Sequence, residues 1–243
     1  MTDLIHLVEE PRRCSYLPSE TAALEYRIVS QLRADEYEDL LARGYRRFGR
    51  QLFRPSCPGC DQCVSVRILV DEFRPTASQR RVLRKNTNIT VAREPVYVTD
   101  RHLALYNRYH AFMAEERGWR SDRISRADYY ESFVDGAGDF AQQWMFHCGD
   151  KLVGVALMDE TASAASLVYA FHDPEWRPRG PGVFAILAQL AYARERGLRY
   201  AYPGYWIESN RSMAYKAKFR PFEQLDGIPA ADEVPRWRRS ETA

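Results

Sequence analysis

Two groups of residues have the types and spacing to do chemistry. The first is Cys57-Pro58-Gly59-Cys60-Asp61-Gln62-Cys63, a C-x2-C-x2-C run. A turning backbone can aim several of these sulfurs at one metal, and Cys14 would complete four ligands if its segment folds back on the run. One reading is a zinc or iron–sulfur site; the other is a tight turn of small, buried, uncoordinated thiols. A closed all-cysteine shell has no open position for substrate, so any metal there would be structural or regulatory. Cys148 lies far along the chain, on an expected strand, and reads as packing.

The second group runs from Val168 to Phe219 and reads as strand, glycine loop, helix, strand. Gly180-Pro181-Gly182 feeds a helix start, where unpaired N–H groups and the helix dipole favour an anion. Tyr202-Pro203-Gly204-Tyr205-Trp206 would wall a cleft beside it. Asp173 can take a proton from an amine or hold an ammonium group, or simply shape the Asp173-Pro174 turn. Tyr169, Tyr202 and Tyr205 can each donate to an oxyanion or a leaving hydroxyl, or pack on a sheet. Lys216 and Lys218 can hold phosphates or be exposed helix charge. The expectation is that donor and acceptor of a group-transfer reaction meet here.

The elements that must position these residues alternate along the chain. Strands are expected at 23–32, 64–70, 89–98, 143–148, 151–158, 164–171 and 200–205. Helices are expected at 35–42, from Thr76 or Ser78 to 86, from Thr99 to Gly118, 125–134, 183–196 and from Ser209 or Asn210 to 218. From Gly138 onward the order is meander, helix, strand, helix, strand, similar to the core of the GNAT acyltransferase fold. The expected class is α+β, with a smaller cysteine-containing α+β domain at 1–100 and a GNAT-like domain at 101–243, whose mixed sheet is flanked by helices. The tail from Pro229 reads as polar and mobile.

The chain has 243 residues and a net charge of +2, so no global field demands a polyanion. Its basic residues are clustered, however. Arg43, Arg46, Arg47, Arg50 and Arg54 form one run without intervening acids, and Arg74, Arg80, Arg81, Arg84, Lys85 and Arg93 supply the second basic cluster. Such runs suit RNA phosphates, bidentate contacts to a carboxylate, or a solvated face. No signal peptide and no stretch of roughly 18 apolar residues is present, so a cytoplasmic protein with no membrane partner is expected.

Taken together, Cys14-Ser15-Tyr16-Leu17-Pro18, the cysteine run, Ser78-Gln79-Arg80-Arg81 with Arg84-Lys85-Asn86, Tyr202-Pro203-Gly204-Tyr205-Trp206-Ile207, and Met213-Ala214-Tyr215-Lys216 resemble the aminoacyl-tRNA–protein transferases of the N-degron pathway. They follow the family's order and span 14 to about 223. The compact chain is similar to the bacterial branch of aspartate/glutamate leucyltransferases. Two departures stand out: Asn88 where the family usually has aspartate, and Pro203 where it often has leucine.

The resemblance implies leucyl-tRNA as donor, proteins or peptides beginning with Asp or Glu as acceptors, and no cofactor required for the chemistry. Arg80, Arg81 and Arg84 become candidates for holding the acidic first side chain. The rival readings are arginyl transfer and acetyl-CoA-dependent N-acetylation, the latter because Arg177-Pro178-Arg179-Gly180-Pro181-Gly182 matches the R-x-x-G-x-G loop that cradles coenzyme A. Pro181 removes one N–H from that cradle. A third rival is an RNA-binding protein with no catalysis.

Overall fold

Apolar alternation in Lys151–Glu160 decides the layering. Val155 and Leu157 turn to one side of this strand, Ala156 and Met158 to the other, and all four are buried. A strand buried on both faces has to lie between two layers. The computed structural model, which describes residues 3–120 and 122–240, shows those layers.

The N-terminal elements are β1 (Asp3–Val8), β2 (Arg12–Arg13), β3 (Thr21–Ala22), β4 (Leu24–Val29), α1 (Ala34–Ala42), β5 (Arg46–Phe48), β6 (Gln51–Pro55), β7 (Val64–Leu69), α2 (Ala77–Lys85) and β8 (Ile89–Pro95). There follow α3 (Asp100–Arg117), α4 (Arg126–Tyr129) continued by a π-turn over Tyr130–Val134, β9 (Ala141–Cys148), β10 (Lys151–Glu160) and β11 (Ala164–His172). A 3-10 turn (Pro174–Arg179) leads into α5 (Pro181–Glu195), then β12 (Tyr200–Trp206), a 3-10 turn (Ala214–Lys218), β13 (Phe222–Leu225) and β14 (Trp237–Arg239).

Eight strands form the main sheet, in the order β14-β13-β7-β12-β11-β10-β9-β8. Its ladders are antiparallel except for β11–β12, which run parallel. Helix α5 covers one face over Phe146, Ala156 and Met158, and α3 covers the other over Val155, Leu157 and Phe171. The meander β9–β11, the helix α5 and the parallel strand β12 make the expected GNAT-like core, within an α+β chain. A four-stranded sheet, β1-β4-β6-β5, packs with α1 through Tyr37, Leu41 and Leu52.

The local signals behave as their chemistry requires. Thr76 caps α2 in a capping box with Gln79, and Thr99 caps α3. Gly118 ends α3 in the left-handed region at φ 66°.

β7 and β8, from the first hundred residues, are strands of the main sheet. Two expectations are corrected. The tail is not loose: β14 pairs with β13, and Trp237 Nε1 donates to the Ala42 carbonyl at 3.1 Å. The first basic run is not an RNA-facing surface. Arg43 pairs with Asp39, Arg50 with Asp135, Arg54 with Glu25, and Arg47 with Asp159. Asp39 is a helical neighbour of Arg43, and the other three acids, distant in sequence, arrive through the fold. Among the described residues no helix is long and apolar enough to cross a membrane.

Arg47 and Asp159 form a bidentate pair at 3.0 and 2.7 Å, with side chains 4% and 2% exposed, tying β5 to β10. Removing one member leaves a buried charge without its partner. Asp159→Ala should therefore lower unfolding free energy by about 3–5 kcal/mol in urea titration, and Arg47→Met with Asp159→Leu together should restore most of it.

Candidate active site

The candidate site begins where two strands part. β11 and β12 pair over Ala164–Ser166 and Tyr200–Tyr202, yet β11 runs on to His172 and β12 to Trp206. Both strands carry an irregularity just beyond the last pair. In β11, Tyr169 faces Leu157 and Leu167 faces Met158, so Val168 is an extra residue. In β12 the register against β7 slips between Ala201 and Gly204. Pro203 has no N–H to give a ladder, and Gly204 sits at φ 95°, where a side chain would be strained. Bulges at one level on two adjacent strands bend them apart and open the sheet.

Aromatic residues from α3 line the β11 side. His110 Nε2 and Tyr169 Oη are 2.9 Å apart, and Tyr106 stacks on His110 at 4.1 Å. Burial lowers the His110 pKa, which favours the neutral ring, and raises Tyr169 well above the ordinary phenol range, so it remains a hydrogen-bond donor. Sequence reading passed over His110, because one histidine on an aromatic helix face carries no local signal.

Asp173 is buried and fully engaged. Its carboxylate accepts from Arg108 at 2.6 Å, Lys151 at 2.9 Å and the Glu175 N–H at 3.0 Å. Burial alone would raise its pKa, but the Lys151 bond, the Glu175 N–H and the Arg108 charge outweigh it and hold the group below the ordinary carboxylate range. As placed, Asp173 caps the 3-10 turn, and its carboxylate is not presented to an incoming amine as a base.

Tyr205 does not present its hydroxyl to the opening. It directs its proton to the backbone carbonyls of Gly44 at 2.9 Å and Phe53 at 3.1 Å, which fastens β12 to the small sheet. Tyr202 is 2% exposed and packs beneath Arg46 and against Trp237. Trp206 is half-buried on Phe222. These three position β12, and their rings do not form the expected open wall.

At the start of α5, Gly180 stands in the left-handed region at φ 72°, and its N–H is spent on the Arg177 carbonyl at 3.0 Å. Pro181 has no N–H, while Gly182 lies in the helix's first turn, whose N–H groups have no intrahelical acceptor. The neighbouring cavity, lined by His172, Trp176 and Gly182 among others, measures only about 10 Å³. Ligand pockets run to roughly 300–1,000 Å³, so no coenzyme fits this slot as it stands. Trp176 closes it: a Cβ on Gly154 would lie 2.6 Å from the indole, and Asn86 accepts its Nε1 proton at 2.7 Å.

The basic residues around this helix start are exposed. Arg80, Arg81, Arg84 and Lys85 project from α2, and Arg179 and Lys218 share the surface. Lys85 donates to the Pro178 carbonyl, and Gln79 donates to the Lys218 carbonyl at 3.0 Å, which joins the three segments. Arg80, Arg81 and Arg84 stand on an open surface, not in a pocket for an acidic side chain. Lys216 reverses its expected place as well. It is 7% exposed, with Nζ on the Tyr205 carbonyl at 2.7 Å.

The four cysteines come together over the end of β12. Cys63 precedes Val64, which pairs with Trp206, and the Tyr16 carbonyl accepts from Asn210 at 2.9 Å. Burial and the nearby Cys57, Cys14 and Cys60 push Cys63 up to about 12. The N–H groups of Tyr16 and Leu17 both point at Cys14 Sγ at 3.4 Å. The donor set suits a soft metal. Yet among the described residues no three His, Cys, Asp or Glu side chains stand as a coordination shell requires.

Comparison with known sequences decides the family. The N-terminal domain of the arginine-tRNA-protein transferases matches residues 12–81, and their C-terminal domain matches 101–226. The chain belongs to that family. It is an aminoacyltransferase of the tRNA–protein class. The aspartate/glutamate leucyltransferase of Helicobacter hepaticus (strain ATCC 51449 / 3B1) is 36% identical over 234 residues, covering 96% of this chain and 97% of that protein. The aspartate/glutamate leucyltransferase of Halorhodospira halophila (strain DSM 244 / SL1) is 40% identical over 224 residues, covering 88% and 91%. Among solved structures, a tandem GNAT protein from the clavulanic acid biosynthesis pathway aligns at 16% identity with a TM-score of 0.44, over 98% of this chain and 64% of that one.

Asp173→Asn gives a test of the capping role. With its folded pKa depressed, Asp173 adds stability above its unfolded value of about 3.9, and that contribution is lost as pH falls through the lower folded value. The variant should lose about 1–3 kcal/mol at pH 7, and the gap to the parent should narrow near pH 2 in urea titrations.

Proposed function

We propose that this transferase moves leucine from leucyl-tRNA to the α-amino group of proteins that begin with Asp or Glu, and so creates a terminus that marks them for degradation. The observation that carries this reading is end-to-end similarity, at 36–40% identity, to proteins named aspartate/glutamate leucyltransferase. The family's own description names arginine, so arginyl-tRNA is the second reading.

The reaction asks little of the protein. The amino acid arrives as an ester, already activated. The attacking amine has an ordinary pKa of about 7.7–8.0, so much of it is neutral near physiological pH. The new C–N bond forms as the ester C–O bond breaks, and the amine's proton leaves with the departing 3′ oxygen or to water. Orientation and stabilisation of the oxyanion remain to be supplied.

The parting of β11 and β12 supports a place for this exchange, with the Tyr169 phenol as donor to the oxyanion or leaving oxygen. The exposed arginines of α2, with Arg179 and Lys218, support docking of tRNA phosphates. The cysteine group is proposed as a structural or regulatory site for zinc or an iron–sulfur cluster, outside the reaction, its thiols closing around the metal on binding; elemental analysis showing no metal in anaerobically purified protein would overturn that assignment.

Radiolabelled leucyl-tRNA and arginyl-tRNA, each offered with peptides beginning in Asp, Glu or Ala, test the donor and acceptor together. Leucine should enter the Asp and Glu peptides alone; arginine transfer, or leucine on the Ala peptide, would displace the reading. Arg81→Ala and Arg84→Ala should weaken tRNA binding and each reduce the slope of log affinity against log salt by about 1. An unchanged salt slope would place the phosphates elsewhere.

A further inference from the structure

Arg46 and Lys216 meet beside Gly204, where β12 leaves β11. They are 6% and 7% exposed. Arg46 sends one terminal nitrogen to the Tyr45 carbonyl at 2.9 Å and the other to Ser65 Oγ at 3.0 Å. Its Nε is buried and has no hydrogen-bond partner among the described residues. The guanidinium lies over the rings of Tyr202 and Tyr205, 5.2 and 5.6 Å from their centres. Lys216 Nζ reaches the Tyr205 carbonyl and, at 3.6 Å, Met213 Sδ. None of these partners is a carboxylate. The contrast with Arg47 is direct, because that neighbour has Asp159.

Two buried cations without an acid are costly, and the cost ends when an anion arrives. A Cβ on Gly204 would stand 3.2 Å from Lys216 Nζ and 4.0 Å from Arg46 Nε, so both nitrogens converge on the backbone of this glycine, where a side chain would be crowded. Two charged or titratable groups face Lys216 from the elements around it, Arg46 from β5 and Cys63 ahead of β7, while β12 offers it the backbone carbonyl of Tyr205. Burial, and then Arg46, pull Lys216 down to about 7, with Cys63 acting the other way.

We propose that Arg46 and Lys216 form the subsite for the carboxylate on the acceptor's first side chain. The inference rests on the transfer reaction proposed above. A carboxylate there would accept from Arg46 Nε and Lys216 Nζ and neutralise the pair. An Asn or Gln side chain of the same shape brings no charge and leaves both cations uncompensated, which is how a buried site rejects an isostere. A basic hollow of about 370 Å³ between α3 and the β9–β10 turn is a weaker candidate. Its Arg108 and Lys151 already serve Asp173, and Asp150 sits in its wall.

Leucine transfer to peptides beginning in Asp and in Asn, measured as the ratio of kcat/KM, tests the subsite. The parent should favour Asp by roughly 100-fold or more, Lys216→Met should bring the ratio below about 5, and Lys216→Arg should retain at least about 10. Leucyl-tRNA binding and a cooperative melt establish that each variant is folded. A Lys216→Met protein that keeps the parent's ratio overturns the subsite, whereas failure of the parent protein to transfer leucine to any peptide overturns the reaction itself. Hydrogen exchange on the unmodified protein, without donor, covers the case of a variant that does not fold. The Asp peptide, and not the Asn peptide, should protect residues 43–48 and 203–218. Protection confined to 101–108 and 150–152 would move the carboxylate to the α3 hollow and sink the proposal.

Discussion

The structure depends on a parallel ladder that stops after Ser166 and Tyr202. A sheet with every strand paired to its ends has no interior opening, because each N–H and C=O is already taken. Here an extra residue in β11 and a slipped register in β12 fall at one level, and the two strands diverge. Everything proposed for the chemistry lies on the rims of that divergence: Tyr169 with His110 on one, Gly204 with Lys216 and Arg46 on the other.

Holding the rims apart is itself a structural task. Tyr205 gives its proton to carbonyls at Gly44 and Phe53. Tyr37 donates to Ser166 Oγ at 3.1 Å, at the last paired position. The Arg47–Asp159 pair fixes β5 against β10. On the β11 side, Asp173 gathers Arg108 and Lys151 and caps the following turn. Residues with catalytic side-chain types thus serve as the frame, and the frame explains why they are buried.

Charge is sorted by depth. The α2 arginines lie in water, where a cation costs little and can exchange counter-ions for phosphates. The arginines of the β5–β6 region each meet an acid or a carbonyl, and Arg46 meets only neutral partners. With Lys216 it makes a locally positive interior in a chain whose net charge is only +2. Local desolvation, not total charge, sets what such a pair can recognise.

Much of this molecule was legible before folding. Periodicity located the main strands and helices, because amphipathic spacing reflects which side must be buried. Thr76, Thr99 and Gly118 marked their helix ends, because capping is chemistry between near neighbours. The motif order announced the family that the comparisons established. Burial and pairing were not legible. Arg46 and Arg81 sit in similar basic runs, yet one is 6% exposed and the other is in solvent. Lys216 and Lys218 are two residues apart and face opposite environments. Tyr205, Asp173 and Tyr202 looked alike as candidates until their partners, many of them more than 60 residues away, came into view. Residue type and spacing determined what each side chain can do. Tertiary structure alone decided which groups had already spent that capacity, because desolvation and long-range hydrogen bonding are properties of assembled neighbours and leave no mark in local order.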